Sequence, residues 1–490
     1  MPVRTVPLAA APVAVLILAF TGALAALAGG FWDDSWHTER GRDTFFVAPH
    51  IAIYAGITLV GASLAAWTLR AWRRGGVAAA ASHPPLRLAA LGVVLTLASA
   101  LIDNAWHQAF GRDAVIWSPP HMLGIAGTMA LAVALLAELV DRRQRWAPAA
   151  AALAGGAVVA AAAFTTVEYD TDVPQFATVW FLPALSAAAA VGLGLVRAAS
   201  GRRWAATEAA AIHFGFMLLV SAFLATQGFA LPALPLLVGA AIVLDVATRR
   251  SWPAPVTAVP FVLALVAAHL PVRNLLTEGV RFEATDLLLG APLGWVAVTL
   301  VLAAAGLRLP AVRVRPVALT LAVTALLLVP AVPDRALGHD PGQGPDAGAL
   351  AVALVADGPT ISATVDLRGG RCDELAPLHV TARRGGMEVR GPLVVRGCRA
   401  TGTLRVRERG RWFVYVELRR RAGPVEAWLP IVVDGTPRRV ADARRFAYVP
   451  QREEGASAKV AGGVALYAVM VGLVGLCFRE VRRVTATRAA

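Results

Sequence analysis

Two short stretches of the chain offer the same chemistry twice. The first runs Asp33, Asp34, Ser35, Trp36, His37, then Gly41, Arg42, Asp43, then Pro49 and His50. The second runs Asp103, Asn104, Ala105, Trp106, His107, then Gly111, Arg112, Asp113, then Pro120 and His121. Each has D-x-x-W-H, a G-R-D, and a P-H that opens an apolar run. The second His lies 13 residues beyond the first in one copy and 14 in the other. A carboxylate with two imidazoles is a ligand set for a divalent metal. Without thiolate it suits Cu(II), Zn or Fe(II). Candidate ligands are Asp33, His37, His50, Asp103, His107 and His121. Asp43, Asp113, Trp36 and Trp106 are candidates for a supporting shell that orients the ligating His. The alternative is a hydrogen-bonded His/Asp network at the membrane interface with no metal.

These motifs need elements to hold them. The chain has 490 residues, 57% hydrophobic and 16% charged, with a mean hydropathy of +0.61. That composition places it in the lipid bilayer. The net charge of +14 does not point to nucleic acid. It comes from Arg clusters between apolar runs, the pattern of cytoplasmic membrane loops.

Twelve spans of roughly 18–25 residues are expected, near 7–30, 48–70, 87–107, 120–141, 147–167, 176–197, 205–227, 229–248, 254–271, 287–307, 316–333 and 458–478. The Arg clusters all follow even-numbered spans, so both termini are expected in the cytoplasm of a multi-pass plasma-membrane protein. Residues 31–47 and 108–119 then fall outside, and each motif becomes a helical hairpin with its ligands at the outer face. Ala23-Leu24-Ala25 reads alternatively as a signal cleavage site. Span 3 carries the same motif and cannot be a signal, which favours a true first span.

Residues 334–348 read as a linker. Residues 349–449 alternate in short apolar runs, such as Ile361–Leu367, Trp412–Leu418 and Val425–Val433, and predict an exported β-sandwich of about seven strands. Export would let Cys372 and Cys398 pair. The expected fold is thus an all-α polytopic membrane protein of about twelve transmembrane helices with an inserted extracytoplasmic β-sandwich. Its divisions are 1–141 (motif hairpins), 142–333 (further spans), 334–348, 349–449 and a last span at 458–478. His213 and His269 read as packing residues. His83, His339 and His379 lie in a loop, the linker and a strand region.

At the motif residues the sequence resembles the copper-motif membrane subunit of the particulate methane and ammonia monooxygenases, the copper membrane monooxygenase family. That family's copper motif has an Asp, a His four on, an R-D-T, and a second His 13 beyond the first. Here these are Asp33, His37, Arg42-Asp43-Thr44 and His50. A later family span has an Asn, a His four on and a P-x-H, matched by Asp103, His107 and Pro119-Pro120-His121. The resemblance covers about 100 of the 490 residues. It implies copper as the metal, with Asp33, His37 and His50 as one ligand set. His50, Asp103 and His107 would form the other, with His121 as an outer or alternative ligand. It further implies a monooxygenase-like oxidoreductase acting with O2 on a small or lipid-soluble substrate, beside a second copy of the chain or other membrane subunits. The family's Asn is Asp103 here, and the extra spans and β-domain are not features of that family's subunit. The rival readings are a protein that holds or delivers copper, and a structural membrane scaffold.

Overall fold

The computed structural model describes residues 10–40, 46–110, 116–140, 142–172, 178–234, 236–276, 284–307, 343–366, 376–384, 387–421, 423–450 and 456–489, without the side chains of 269–276, 284–285, 456 and 484–489. Among the described residues, nine helices are long and apolar enough to cross a membrane.

The first four are α1 (Val13–Arg40), α2 (Ala48–Ser82), α3 (Pro84–Phe110) and α4 (Pro119–Val140). They form two antiparallel hairpins, α1–α2 and α3–α4. Glycine sets how closely each pair approaches. A Cβ on Gly22 would stand 2.6 Å from the Gly56 carbonyl oxygen, and one on Gly92 would stand 2.7 Å from that of Gly127. Small residues let membrane helices meet backbone to backbone. Gly22 precedes Asp33 by the same 11 residues that separate Gly92 from Asp103, and Gly56 follows His50 by the same 6 that separate Gly127 from His121. The repeat is therefore a whole helical hairpin, not only a ligand motif.

The bundle continues with α5 (Ala147–Ala163), a short turn α6 (Val167–Asp170), α7 (Phe181–Ala199), α8 (Ala205–Thr226), α9 (Val238–Arg249), α10 (Ala254–Leu276) and α11 (Ala284–Ala304). A last helix, α12 (Ala456–Ala489), follows the β-domain. Helices α4, α5 and α7 are buried on most of their surface and form the centre.

Three expectations about the spans change. The span expected at 229–248 is instead non-helical over its described residues before α9. At 12 residues, α9 is about 18 Å long and too short to cross. Pro232 cannot donate to a continuing helix, and the stretch is held by its backbone: Ala233 N donates to the Asp170 carbonyl at 2.6 Å, and Ser35 Oγ to that of Ala230 at 3.3 Å. Irregular backbone at membrane depth is tolerated where protein covers it. Second, α2 runs on through Arg70–Arg74 to Ser82, with non-helical backbone at Gly75 and Gly76, the latter at φ 71°. Third, the apolar part of α10 described with its side chains is the shorter Ala254–Ala268. The span expected at 316–333 lies outside the described residues.

The β-domain is a closed eight-stranded antiparallel barrel, not a sandwich. Its strands are β1 (Gln343–Asp357), β2 (Thr360–Asp366), β3 (Ala376–Arg384), β4 (Met387–Arg396), β5 (Arg399–Arg405), β6 (Gly410–Arg420), β7 (Gly423–Val433) and β8 (Arg438–Pro450). The order is β1-β2-β5-β4-β3-β6-β7-β8, and β8 returns to pair with β1, for example Leu354 with Val440. Closure leaves no free edge. Leu354, Val365, Val414, Val416 and Leu418 fill the interior. β1 begins within the expected linker, and β3, β4 and the Arg-rich β8 complete the ring. Cys372 lies outside the described residues, and with it the expected Cys372–Cys398 bond. Cys398 is not among the free cysteines, of which Cys477 is the one among the described residues.

The barrel sits on the helices at the end where α1 stops. Arg384 Nη2 donates to Asp172 Oδ1 at 2.8 Å, and the Arg411 amide to Asp172 Oδ2 at 2.7 Å. The barrel face turned this way carries a second aromatic cluster of Tyr415, Trp428 and Tyr448, outside the barrel core. Arg445 lies 4.6 Å from the Trp428 ring centre. Burial pushes its guanidinium down to about 10.

Candidate metal centre

Each hairpin closes one ligand set. On α1, Asp33 and His37 are one turn apart and share a face. His50 comes from the first turn of α2, which Pro49 opens. Prolines suit that position because the missing N–H has no partner there in any case. His50 Nε2 stands 3.1 Å from Asp33 Oδ1, and His37 Nε2 stands 3.7 Å from Asp33 Oδ2. The second hairpin repeats the construction. His107 Nε2 and His121 Nε2 each stand 3.1 Å from an Asp103 oxygen. All four rings thus present Nε2.

The second set corrects the grouping drawn from the family likeness. Asp103, His107 and His121 come together, and Asp33, His37 and His50 come together, each with its ligand atoms within 4.8 Å of one another. His121, not His50, completes the second set. The sequence could not decide this, because both His follow a Pro at nearly the same spacing. The fold decides it by pairing α3 with α4.

These distances fit a metal. Donors about 2 Å from one ion stand roughly 3 Å from each other. Oδ1 of Asp33 and of Asp103 are buried, and a ring nitrogen stands 3.1 Å from each.

Both sets line one cavity of about 320 Å³ between the hairpins. Its walls obey the repeat: Ala26 and Thr96, Gly30 and Ala100, Asp34 and Asn104, Ile53 and Gly124, Tyr54 and Ile125, Ile57 and Thr128 occupy matching places. The two halves are therefore alike in ligands and unlike in lining. The first half carries Tyr54 and a second carboxylate, Asp34, which hydrogen-bonds Thr171. The second half carries Asn104, Ile125 in the place of Tyr54, and otherwise small or hydroxyl side chains at the matching positions. Gln343, the first residue of β1, also reaches the cavity wall.

Sequence reasoning missed Asp34, Tyr54 and Gln343. For Asp34 a signal existed, since its repeat partner is Asn104. For Gln343 none did, because only tertiary docking brings it there. Asp43 and Asp113 lie outside the described residues. The two Trp do not line the cavity. Trp36 packs on Phe229, with Arg40 5.3 Å above its ring. Trp106 is buried against Phe110 and beside Gly462 and Gly463 of α12. They anchor the ligand helices to their neighbours.

The other His serve elsewhere. His83 Nε2 lies 2.8 Å from Glu138 Oε2 at the opposite end of the bundle, where Arg142 joins the same carboxylate at 2.6 Å. His213 is fully buried in α8. His379 is exposed on β3. The His269 side chain and His339 lie outside the described residues.

No family model, curated protein or solved structure matches the chain.

Proposed function

We propose that this is a membrane-embedded copper protein that uses two Asp/His/His sites on one cavity for the O2-dependent oxidation of a small or lipid-soluble substrate. One observation carries the reading: two separate candidate ligand sets, built by repeated hairpins, face the same cavity. The motif likeness to the monooxygenase family favours copper among the metals that accept this donor set. Asp33, His37 and His50 would hold one ion, and Asp103, His107 and His121 the other. Bound copper would supply the redox chemistry and a coordination position open to O2.

The chain's own residues do the rest. Asp33 and Asp103 neutralise much of each ion's charge at a depth where an uncompensated charge is costly. Ile53, Ile57, Ile116 and Ile125 give the cavity apolar walls that favour an apolar guest and exclude water. Asp34 stands beside Asp33 and reaches Thr171, a route by which a proton could be exchanged with the ligand end of the bundle. On the proposed topology that end, and the barrel on it, face away from the cytoplasm, with the lipid bilayer around the helices.

A second reading keeps the metal without the turnover. The chain contains 6 Met and 3 Cys and shows no thioether or thiol path of the kind that soft copper transfer uses. That favours holding over transport. Oxygen uptake by the copper-loaded protein in detergent, with a reductant and a range of small apolar substrates, tests the first reading. Substrate-dependent uptake that disappears in His50→Ala is the expected result. Stoichiometric copper with no uptake on any substrate would leave the holding protein as the account.

A further inference from the structure

We propose that the β-barrel is a positioning device for the first ligand set alone, through a clamp on Glu39 that the second hairpin lacks. Resting on the two-site metal reading, this makes two sites with the same ligands unequal.

Glu39 lies two residues beyond His37 in the last turn of α1. Arg411 Nη1 donates to Glu39 Oε1 at 2.7 Å, and Arg445 Nη1 to the Glu39 carbonyl at 3.2 Å. Carbonyls in the last turn of a helix have no partner within the helix, so Arg445 caps α1 from the barrel. The clamp is rigid at its barrel end. Arg411 is 5% exposed and Arg384 4%. Arg384 Nη1 donates to the Arg411 carbonyl at 2.8 Å, while the Arg411 amide donates to Asp172 at 2.7 Å. Arg445 Nε in turn donates to the Trp428 carbonyl at 2.5 Å. Gly410, at φ 122°, makes the chain path possible, since a Cβ there would stand 2.6 Å from the Arg384 guanidinium.

The repeat supplies the internal comparison. The residues matching Glu39 and Arg40 are Ala109 and Phe110, so among the described residues the last turn of α3 offers no carboxylate to an arginine. Its last turn is packed instead by Trp106 on Phe110 and by the glycines of α12. Both ligand helices are packed by a Trp of the repeat, Trp36 on Phe229 and Trp106 on Phe110, but only α1 carries in addition a charged clamp from the barrel among the described residues. Loosening the clamp frees the turn that carries His37 and leaves the turn that carries His107 in place.

The test uses the full chain in two backgrounds. His107→Ala/His121→Ala retains the first set, and His37→Ala/His50→Ala retains the second. Glu39→Gln and Arg411→Gln are introduced into each, with Asp434→Asn, whose hydrogen-bond partners Thr436 and Arg438 lie in its own turn, as a control. Copper(II) affinity is measured by chelator competition, and backbone amide exchange is followed over residues 34–40 and 104–110. Supporting residues of a metal site are worth about 10–100-fold in affinity. Either clamp variant should weaken copper at the first set by about tenfold or more, leave the second set within about twofold, and speed exchange only at 34–40. Equal weakening of both sets, or unchanged exchange at 34–40, overturns the clamp. If the unmodified protein holds no copper, the metal reading falls by itself, and the exchange measurement still decides whether the barrel grips α1.

Discussion

His50 and His121 carry equal weight at the level of single residues, because each closes its own hairpin's ligand set. Replacing either by Ala should remove one metal per chain and leave the other, and replacing both should remove both, as read by metal analysis of the purified protein. Loss of both ions from His50→Ala alone would restore the shared-ligand grouping. Asp103→Asn should weaken the second site less than His107→Ala does, since Asn keeps an oxygen donor of the same shape while losing the charge. Titration of copper into the His37→Ala/His50→Ala background measures this directly. All six residues that the structure gathers into two triads were legible as candidates in the sequence, since Asp and His recur at helical spacing before a P-H. Their division into two sets was not, because it depends on which helices pair. Asp34 and Gln343 escaped for different reasons: one was masked by its ligand neighbour, the other lies more than 200 residues from the cavity's other walls in sequence in all but a few cases.

At the level of elements, the hairpins stand on their glycine contacts. Gly92→Leu would drive a branched side chain into the Gly127 backbone. Overpacking of this kind costs roughly 1–3 kcal/mol, and more where backbone must move. The expected outcome is a lower unfolding temperature and loss of metal from the second set only, with the first retained. Gly215→Leu, where nothing lies within 4 Å of the added Cβ, should do neither. The helices themselves were readable because long apolar runs have few other fates. α9 was misread because an apolar run interrupted by proline still scores as a span, although its backbone is satisfied from outside. The barrel was misread because sandwich and barrel strands alternate alike. Only the pairing of residues near 350 with those near 441 closes the sheet, and strand alternation does not encode pairing over that distance.

At the scale of the whole molecule, the barrel and the helical bundle meet at the cavity, which Gln343 of β1 also lines. Asp172 is buried between them, held by Arg384 and the Arg411 amide. Removing one partner of a buried ion pair costs roughly 3–5 kcal/mol. Arg384→Met should therefore weaken docking, seen as faster proteolysis between barrel and helices while the barrel's own fold persists. Unchanged proteolysis would mean that the other contacts, Arg411 and Arg445 on Glu39 among them, suffice to hold the barrel. The proposed orientation rests on the Arg clusters alone; it predicts that single cysteines placed in the barrel of intact cells are labelled from outside, and that cysteines near Arg143 are not.

The most direct test of the central claim is metal content per chain after purification from membranes, measured on the unmodified protein, on each double-His variant and on the quadruple variant lacking His37, His50, His107 and His121. The account predicts two copper ions, one, one and none. A protein that carries no stoichiometric metal, or whose metal is indifferent to all four histidines, contradicts it and leaves the paired Asp and His residues as a hydrogen-bond network in the membrane.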